Sequence, residues 1–222
     1  MIALLVITDG RRDYIRQTIP SALAQLEGPV TRRVIFDDSG DPAHRDWLES
    51  EFPTFELVSR PDRQGFGGAI RAAWEHLRHI DEHYVFHLED DFTFNRPVPL
   101  PDMIDVLEDR PFLLQLALRR QPWNDDERAA GGIVEQHPAA YTQRCDDQGR
   151  CWLEHRLFWT TNPSLYRQDM TYKHPWPRGS RSEGVFSHNL MRSPKIRFGF
   201  WGAMDSGEAV THIGQERVGV GY

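Results

Sequence analysis

The first part of the chain alternates short apolar runs with segments of helical spacing. Ile2–Ile7 is a continuous apolar run, which is typical of a strand buried on both faces of a parallel sheet. Apolar residues then recur every three or four positions through Arg12–Leu26, which indicates a helix with one buried face. Further strands are predicted at Arg33–Phe36, Phe55–Val58 and Tyr84–Leu88, and further helices at Ala43–Phe52 and Gly68–Ile80. Repeated strand–helix units predict an α/β fold with a mainly parallel sheet and right-handed crossovers.

The pattern weakens in the second part of the chain, which is richer in Trp, Pro, Arg and His. Arg119–Cys151 is a long polar stretch without clear periodicity. The predicted elements are helices at Met103–Asp109 and Ser182–Met191 and strands at Leu113–Leu118, Leu157–Thr161, the run to Tyr166, Phe198–Trp201 and Ala209–Ile213. Because neither an internal repeat nor a linker divides the chain, we expect one domain over residues 1–222.

Charge and hydropathy narrow the classes of function. The 222 residues include 26 basic and 33 acidic side chains, for a formal net charge of −7. This balance argues against a general nucleic-acid coat but leaves room for a local basic groove. The longest apolar runs are too short to cross a bilayer, and no basic region precedes the first of them. We therefore expect a cytoplasmic protein with no membrane span and no signal peptide.

The two cysteines allow two states. The spacing of Cys145 and Cys151 could close a small hairpin disulfide, but we expect two free thiols in a reducing compartment. There is no Cys-x-x-Cys pair, which argues against a structural zinc site.

The strongest chemical signal is the acidic motif at the end of the fourth predicted strand. Glu89, Asp90 and Asp91 follow one another there, between the apolar residues Leu88 and Phe92. In open α/β sheets, ligands bind at the carboxyl ends of the strands. Adjacent buried carboxylates are costly unless they are paired, and a hard divalent cation would relieve that cost. The motif therefore favours a metal site over a solvated acidic turn.

Polar side chains also follow the first two strands, at what should be the same edge of the sheet. They are Thr8, Asp9 and Arg11 after the first strand, and Asp37 and Asp38 after the second. Carboxylates there can accept hydrogen bonds from a nucleobase or ribose, and Arg11 can neutralise phosphate. The alternative is that these residues cap the helices that follow them, Asp9 for the first helix and Asp38 or Ser39 for the second.

A glycine-rich segment opens the third helix. Arg63–Arg71 contains Gly65, Gly67 and Gly68, and such a loop can approach a phosphate closely. The glycine spacing matches neither the dinucleotide-binding fingerprint nor the phosphate loop with its Gly-Lys-Ser/Thr sequence. A helix start that requires small residues for packing is the alternative interpretation.

The order of these motifs resembles the GT-A fold glycosyltransferases, and most of all family 2. The residues that carry the resemblance are Thr-Asp-Gly-Arg after the first strand, Asp-Asp-Ser after the second, Arg-Gln-Gly-Phe-Gly-Gly-Ala-Ile-Arg at the third helix, and Leu-Glu-Asp-Asp-Phe after the fourth strand. The likeness covers residues 1–95 well and the rest through scattered positions. It implies a Rossmann-like sheet flanked by helices, in which residues 1–95 bind a nucleotide-sugar and an irregular C-terminal region, residues 96–222, binds the acceptor.

The resemblance also assigns roles at the donor site. Asp91 matches the acid of the family's Asp-x-Asp motif that binds Mn²⁺ or Mg²⁺ and the donor diphosphate. Glu89 and Asp90 match flanking positions that touch ribose or metal-bound water, and Glu89 is implied as a second metal ligand, although many members have Asp there. Contacts with the nucleotide-sugar are implied for Thr8, Asp9, Arg11, Asp38, Gly67, Arg71, Glu89 and Asp90.

Two later segments extend the resemblance. Glu183 lies in a segment similar to the one that holds the general base of inverting members, where a carboxylate takes the proton of the acceptor hydroxyl. The alternative is a first-turn acid that favours the helix dipole. His212 matches the late histidine that many GT-A enzymes use as a metal ligand, although a hydrogen-bonded core histidine is the commoner case. Arg217 is implied to reach the diphosphate.

The implied function is a metal-dependent, inverting glycosyltransferase of the hexosyltransferase type, a monomer or dimer, with a UDP-sugar as the favoured donor. The rivals are a sugar-nucleotide nucleotidyltransferase and a nucleotide-sugar-binding module without catalysis. The segment Thr8–Arg12 has one glycine and no lysine, which argues against the first rival. If Glu183 is not the base, Glu154 and Asp205 are the next candidates, and a retaining mechanism becomes an option.

The acceptor stays open at this point. Compact size and an Arg- and Trp-rich second half resemble small phage-encoded glycosyltransferases, some of which decorate hydroxymethylated DNA bases while others modify virion proteins or surface glycans. Trp faces stack on sugars and bases, and Arg pairs with phosphate. The alternative is core packing and solvated charge, which we expect for most of the seven Trp in the chain, and the remainder of this set would form the acceptor wall. The set comprises Arg119, Arg120, Trp123, Trp152, Trp159, Trp176, Arg178, Arg181 and Trp201.

Overall fold

The computed structural model describes residues 1–179 and 181–214. The strands are β1 Ile2–Thr8, β2 Leu26–Glu27, β3 Val30–Asp37, β4 Glu56–Ser59, β5 Tyr84–Glu89, β6 Phe92–Phe94, β7 Val98–Pro99, β8 Leu113–Ala117, β9 Thr142–Cys145, β10 Cys151–His155, β11 Ser164–Arg167, β12 Arg197–Trp201 and β13 Val210–His212. The helices are α1 Arg12–Gln25, α2 Pro42–Glu51, α3 Phe66–Leu77, α4 Leu100–Asp109, α5 Asp125–Ala130, α6 Met170–Lys173 and α7 Ser182–Met191, with a 3₁₀ turn at Pro138–Ala140.

Nine strands form one central sheet in the order β4-β3-β1-β5-β11-β8-β12-β10-β9. The first four pair in parallel, and β8 and β12 are also parallel neighbours. Only β11 and β10 run against the others in this sheet. The predicted α/β fold with a mainly parallel sheet is therefore confirmed, and the two reversed strands belong to the less regular second half.

Helices cover both faces of the sheet, and successive side chains of the central strands point to opposite faces, so both kinds of position are apolar. In β1, Leu4 and Val6 face one core with α1 and α4, whereas Leu5 faces the other core with α3 and α7. This two-sided burial explains why the first strand reads as a continuous apolar run.

The carboxyl ends of the parallel strands meet at one edge, as the sequence predicts. Thr8 at the end of β1 is in register with Asp37 at the end of β3, and Ile7 is in register with Glu89 at the end of β5. The register thus brings the three polar strand ends to the same edge of the sheet.

The second half of the chain differs from the sequence predictions in several places. The strand predicted at Leu157–Thr161 is wrong, because β10 precedes it and the chain leaves the sheet after His155. The polar stretch before β10 contains α5, the 3₁₀ turn and β9. The expectation of free thiols is also wrong: Cys145 and Cys151 are opposite each other in the β9–β10 hairpin and form a disulfide. Because the cysteines are paired, they do not support the expectation of a reducing compartment.

No helix among the described residues is long enough and apolar enough to cross a membrane.

Candidate active site

A cavity of about 1020 Å³ opens over the carboxyl edge of the sheet, and we call it the donor pocket. Its wall comes from the ends of β1 and β5, the first turn of α3, the first turn of α7 and the connection Thr160–Asn162. Ten of the predicted site residues line it together: Thr8, Asp9, Arg11, Asp38, Gly67, Arg71, Glu89, Asp90, Glu183 and His212. Asp91 lies fully buried beside it, and Arg217 lies outside the described residues.

The acidic motif turns two carboxylates inward and leaves Glu89 in the pocket wall. Asp90 and Asp91 are both fully buried. Asp90 accepts a hydrogen bond of 2.6 Å from the Thr8 hydroxyl, and its backbone oxygen accepts one of 2.6 Å from the Thr18 hydroxyl. Thr8 therefore holds the acid in place, and the nucleotide contact implied for it by the resemblance stays a prediction.

Arg11 supplies the positive charge of this cluster. Its guanidinium pairs with Asp9 at 2.8 Å and with Asp91 at 2.7 Å, and it also donates to Asp90. Arg63 pairs with the other oxygen of Asp9 at 2.9 Å. Asp9 therefore makes ion pairs and does not cap α1, whose N-cap residue Arg11 makes no side-chain cap.

Burial and the arginine act on the acids in opposite directions. Burial raises the pKa of Asp90 to about 7, although the charge of Arg11 opposes it. Burial also raises the pKa of Asp91, but hydrogen bonds and charge from His212 and Arg11 outweigh it and hold that pKa below its usual range. Burial lowers the pKa of Arg11, and the three carboxylates raise it above its ordinary value by a larger amount. Asp91 is thus the acid that stays charged.

The imidazole of His212 lies between two aromatic side chains. Its imidazole stacks on Phe92 at 4.5 Å and on Trp123 at 4.2 Å between ring centroids. Its Nε2 atom lies 3.1 Å from Asp91 Oδ2, and its backbone is fixed by two hydrogen bonds of 2.8 Å with the Gln121 side chain. The sequence reasoning placed His212 correctly at the acidic motif but missed Gln121.

The predicted metal ligands come together only in part. Asp91 and His212 are adjacent, and carboxylate and imidazole suit Mn²⁺. Among the described residues, however, no group of three His, Cys, Asp or Glu side chains is arranged to hold a metal ion. Arg11 already pairs with Asp91, and a Cβ placed on Gly214 would lie 2.2 Å from Asp91 Oδ2, which shows how closely the chain covers it. The described side chains therefore do not by themselves complete a metal site, and the metal roles of Asp91, Glu89 and His212 stay predictions.

Asp38 holds the loop that precedes α3. Its Oδ1 accepts a hydrogen bond of 2.6 Å from the Gln64 backbone, and burial raises its pKa. The cap of α2 is Asp41, which accepts from Ala43, so the capping alternative for Asp38 is wrong. Asp37 is fully buried and accepts from Ser39 and Arg45, which shapes the strand end.

The glycine at position 67 serves the packing of two helices. A Cβ on Gly67 would lie 2.5 Å from Ser182 Oγ, so a side chain there would push the start of α7 away from α3. This contact brings Glu183, the second residue of α7, into the pocket wall. Gly67 therefore lines the pocket as predicted, and the reason the structure gives for its small size is helix packing.

Glu183 lies in the first turn of α7, as the helix-dipole alternative describes, and its carboxylate also contacts Thr161. Its Oε1 accepts hydrogen bonds from the Thr161 backbone at 2.8 Å and from the Thr161 hydroxyl at 3.3 Å. These bonds fix a half-buried carboxylate in the pocket. Thr161 carries no signal in the sequence that marks it, whereas Trp123 belongs to the aromatic set already noted. Glu154 and Asp205, the alternative bases, do not line this cavity.

Three of the five tryptophans in this set are core, as the core-packing alternative predicts. Trp152, Trp159 and Trp176 are buried. Arg120, Trp123 and Arg181 do line the donor pocket, and Arg120 is paired there with Glu127 at 2.6 Å.

A match to a family model over most of the sequence identifies the family of this chain. The model of glycosyl transferase family 2 matches residues 4–173, which is more than half of the sequence. The chain belongs to this family. No curated protein sequence matches the chain.

Solved structures of similar fold include TarS of S. aureus and a synthetase. TarS 1–349 of S. aureus superposes with a TM-score of 0.61 at 14% identity, over 95% of this chain and 60% of that one. Its complex with UDP-GlcNAc gives a TM-score of 0.59 at 14% identity, over 98% and 61%. A CMP:2-keto-3-deoxy-manno-octonic acid synthetase complexed with CTP gives 0.54 at 14% identity, over 90% and 89%. This family 2 chain thus spans about three-fifths of the TarS chain, and these likenesses show the GT-A fold.

Proposed function

We propose that this family 2 chain transfers a sugar from a nucleotide-sugar to an acceptor hydroxyl. The observation that carries the proposal is the meeting of Arg11, the buried Asp91 and the tethered carboxylate of Glu183 at one cavity. Solved complexes of TarS with UDP and with UDP-GlcNAc support a UDP-sugar as the donor.

The donor would lie along the carboxyl edge of the sheet. Its nucleoside would rest near Asp38 and the start of α3, because that end of the pocket offers a carboxylate and backbone amides. Its diphosphate would lie near Arg11, whose guanidinium pairs with two acids of the motif and is a quarter exposed. Guanidinium groups pair well with phosphate oxygens, and here Arg11 would exchange one of its carboxylates for them.

The chemistry assigned to the chain is a single displacement. The acceptor oxygen attacks the anomeric carbon, the bond from that carbon to the diphosphate breaks, and Glu183 takes the acceptor proton. The leaving nucleoside diphosphate gains negative charge, which Arg11 stabilises in a partly buried site. Attack opposite to the leaving group inverts the anomeric centre, and a hexose is the expected sugar.

Nucleotidyl transfer is the second candidate. It is favoured by the similarity in fold to the synthetase with CTP, which extends over nine-tenths of both chains. Against it stands the loop after β1, which presents Arg11 to three carboxylates where a triphosphate would need free cations.

One incubation separates these functions. The protein is mixed with UDP-, GDP- and CMP-sugars, each with Mn²⁺, with Mg²⁺ or with EDTA, and the products are separated by anion-exchange chromatography. We expect slow hydrolysis of one donor to its nucleoside diphosphate and free sugar. A further arm contains a nucleoside triphosphate and a sugar phosphate in place of the nucleotide-sugar, and pyrophosphate formed there would instead identify a nucleotidyltransferase. Binding without turnover in every arm would contradict catalysis. The EDTA arm tests the divalent cation.

A further inference from the structure

A second cavity of about 770 Å³ lies on the outer side of α3, and we call it the arginine cavity. Its wall is formed by α3, by Arg60 after β4 and by Pro175–Arg178 after α6. Four arginines line it: Arg60, Arg71, Arg78 and Arg178. Nothing in the proposed transfer uses Arg60, Arg78 or Arg178.

The helical period explains how three of the charged side chains come to the same wall. Arg71, Glu75 and Arg78 are spaced by four and three residues along α3 and its C-cap, so they share one face. Arg71 Nη1 donates to the Pro177 backbone oxygen at 3.0 Å, and Arg78 Nη2 donates to that of Thr171 at 3.0 Å. These bonds orient both guanidinium groups and fix the segment after α6 against α3.

The cavity carries an excess of positive charge. Arg60 pairs with Glu75 at 2.9 Å, and Glu75 is the one acidic residue that the described wall contains. Arg71 and Arg78 bond only to carbonyl oxygens, which have no net charge, and Arg178 has no carboxylate partner among residues 1–179 and 181–214. Within the described part of the chain, Arg71, Arg78 and Arg178 thus have no acidic partner, in a protein whose net charge is −7.

The chemistry of the wall selects phosphate. Guanidinium groups recognise phosphate through paired N–H donors and keep their charge at any ordinary pH. The two tryptophans of the wall, Trp74 and Trp176, are 2% and 4% exposed and so offer no free ring face for a nucleobase. Recognition in this cavity would therefore depend on phosphate and would be indifferent to bases.

The arginine cavity adjoins the donor pocket. Gln64, Gly68 and Arg71 line both, while Arg78 and Arg178 line the arginine cavity alone. We propose that the arginine cavity binds phosphodiester groups of the acceptor, so that the acceptor is a phosphate-containing polymer held at a second point outside the donor pocket. This inference rests on the proposed sugar transfer, since it names the class of acceptor.

The test uses two labelled oligomers of equal length, an abasic phosphodiester and oligothymidylate. Fluorescence anisotropy with the full chain is measured at several salt concentrations. We expect similar dissociation constants for both oligomers. Arg78→Gln combined with Arg178→Gln should weaken both about tenfold or more, and the slope of log K against log salt should flatten by about one for each arginine removed.

Two further variants make the result specific. Arg156→Gln is the matched control, because Arg156 is an exposed arginine that also donates to two backbone oxygens, those of Met191 and Ser193, away from the cavity. It should bind as the parent protein does. Arg178→Gln alone removes no hydrogen bond to the described residues and should still weaken binding, which separates loss of charge from loss of fold.

The remaining outcomes would each contradict the proposed acceptor binding or the proposed sugar transfer. No binding of the abasic oligomer, or equal binding by the double variant and the parent, would overturn the proposal. Much tighter binding of oligothymidylate would overturn recognition by phosphate alone and indicate a reader of nucleic acid. Donor hydrolysis is measured in the same preparations: hydrolysis without oligomer binding contradicts this inference alone, and oligomer binding without any hydrolysis contradicts the proposed function alone.

Discussion

At the scale of single residues, Arg11 is the centre of the candidate site. It pairs with Asp9, Asp90 and Asp91, two of which are fully buried. Removing one partner from a buried ion pair costs more than the pair itself contributes, because the remaining charge is left in a poorly solvated place. The acids of the motif therefore depend on an arginine that comes from a different strand end.

The first prediction concerns that dependence. Arg11→Gln should lower the free energy of unfolding by about 3–5 kcal/mol at pH 8. Without Arg11 the folded-state pKa of Asp90 should rise above about 7, and a carboxyl whose folded pKa is raised loses stability as pH rises towards that pKa. The deficit should thus shrink between pH 8 and pH 6. Urea unfolding at both pH values measures it, and Arg16→Gln, which breaks an exposed pair with Glu51, is the control. A loss no larger than in the control would contradict the role of Arg11.

The second prediction concerns the base. Glu183→Gln keeps the shape of the side chain but cannot take the acceptor proton, so transfer should slow by ~10²–10⁴. Donor affinity should change little, because Thr161 can still donate to the amide oxygen. Rates at saturating donor and calorimetric titration with the nucleoside diphosphate measure both. Glu154→Gln should turn over normally, and the reverse pattern in the two variants would move the base to Glu154.

At the scale of elements, the sequence predicts features that follow from regular strand pairing better than contacts between distant, irregular segments. The ends of β1, β3 and β5 are polar after apolar runs, and parallel pairing alone brings Thr8, Asp37 and Glu89 to one edge. The contact of Glu183 with Thr161 joins the start of α7 to an irregular connection 22 residues earlier, and no periodicity encodes it. The pairing of Arg11 with Asp91 spans 80 residues, so the sequence suggests the charges but not the partners.

The third prediction belongs to the packing of α3 against α7. Gly67→Ala would gain helix propensity of about 1 kcal/mol, but its Cβ would meet Ser182 Oγ at 2.5 Å. Overpacking of this kind costs about 1–3 kcal/mol, and the shift of α7 should also slow transfer by moving Glu183. Thermal unfolding and the transfer rate measure the two effects.

Matched variants isolate the clash at Gly67. Gly184→Ala gains the same propensity where nothing lies within 4 Å, so it should not destabilise the protein. Ser182→Ala in the Gly67→Ala background removes the oxygen that the new methyl group meets and should restore part of both stability and rate. If Gly67→Ala is as active as the parent protein, the close approach of the two helices does not position Glu183.

At the scale of the whole molecule, the two ends of the sheet have separate tasks. The donor pocket lies over the side of β3, β1 and β5, whereas the β9–β10 hairpin forms the opposite edge beyond β11, β8 and β12. All four residues of β9 are exposed, whereas β10 buries Trp152 and Leu153, so β9 itself is held by few buried contacts. The Cys145–Cys151 disulfide closes this hairpin.

The last prediction separates stability from binding across the sheet. A disulfide that closes a loop with a sequence separation of 6 restricts the unfolded chain by about 2 kcal/mol in the loop-entropy account. Reductant should therefore lower the free energy of unfolding by about that amount, and it should have no effect on the variant with both Cys145→Ser and Cys151→Ser. The affinity for the nucleoside diphosphate should be the same with and without reductant, because four strands, β11, β8, β12 and β10, lie between β9 and β5, which borders the pocket. If reductant does not change the free energy of unfolding of the parent protein, the disulfide does not form in solution. Affinity that falls on reduction would show that the hairpin and the donor pocket are coupled, and the edge strand would then belong to the working site.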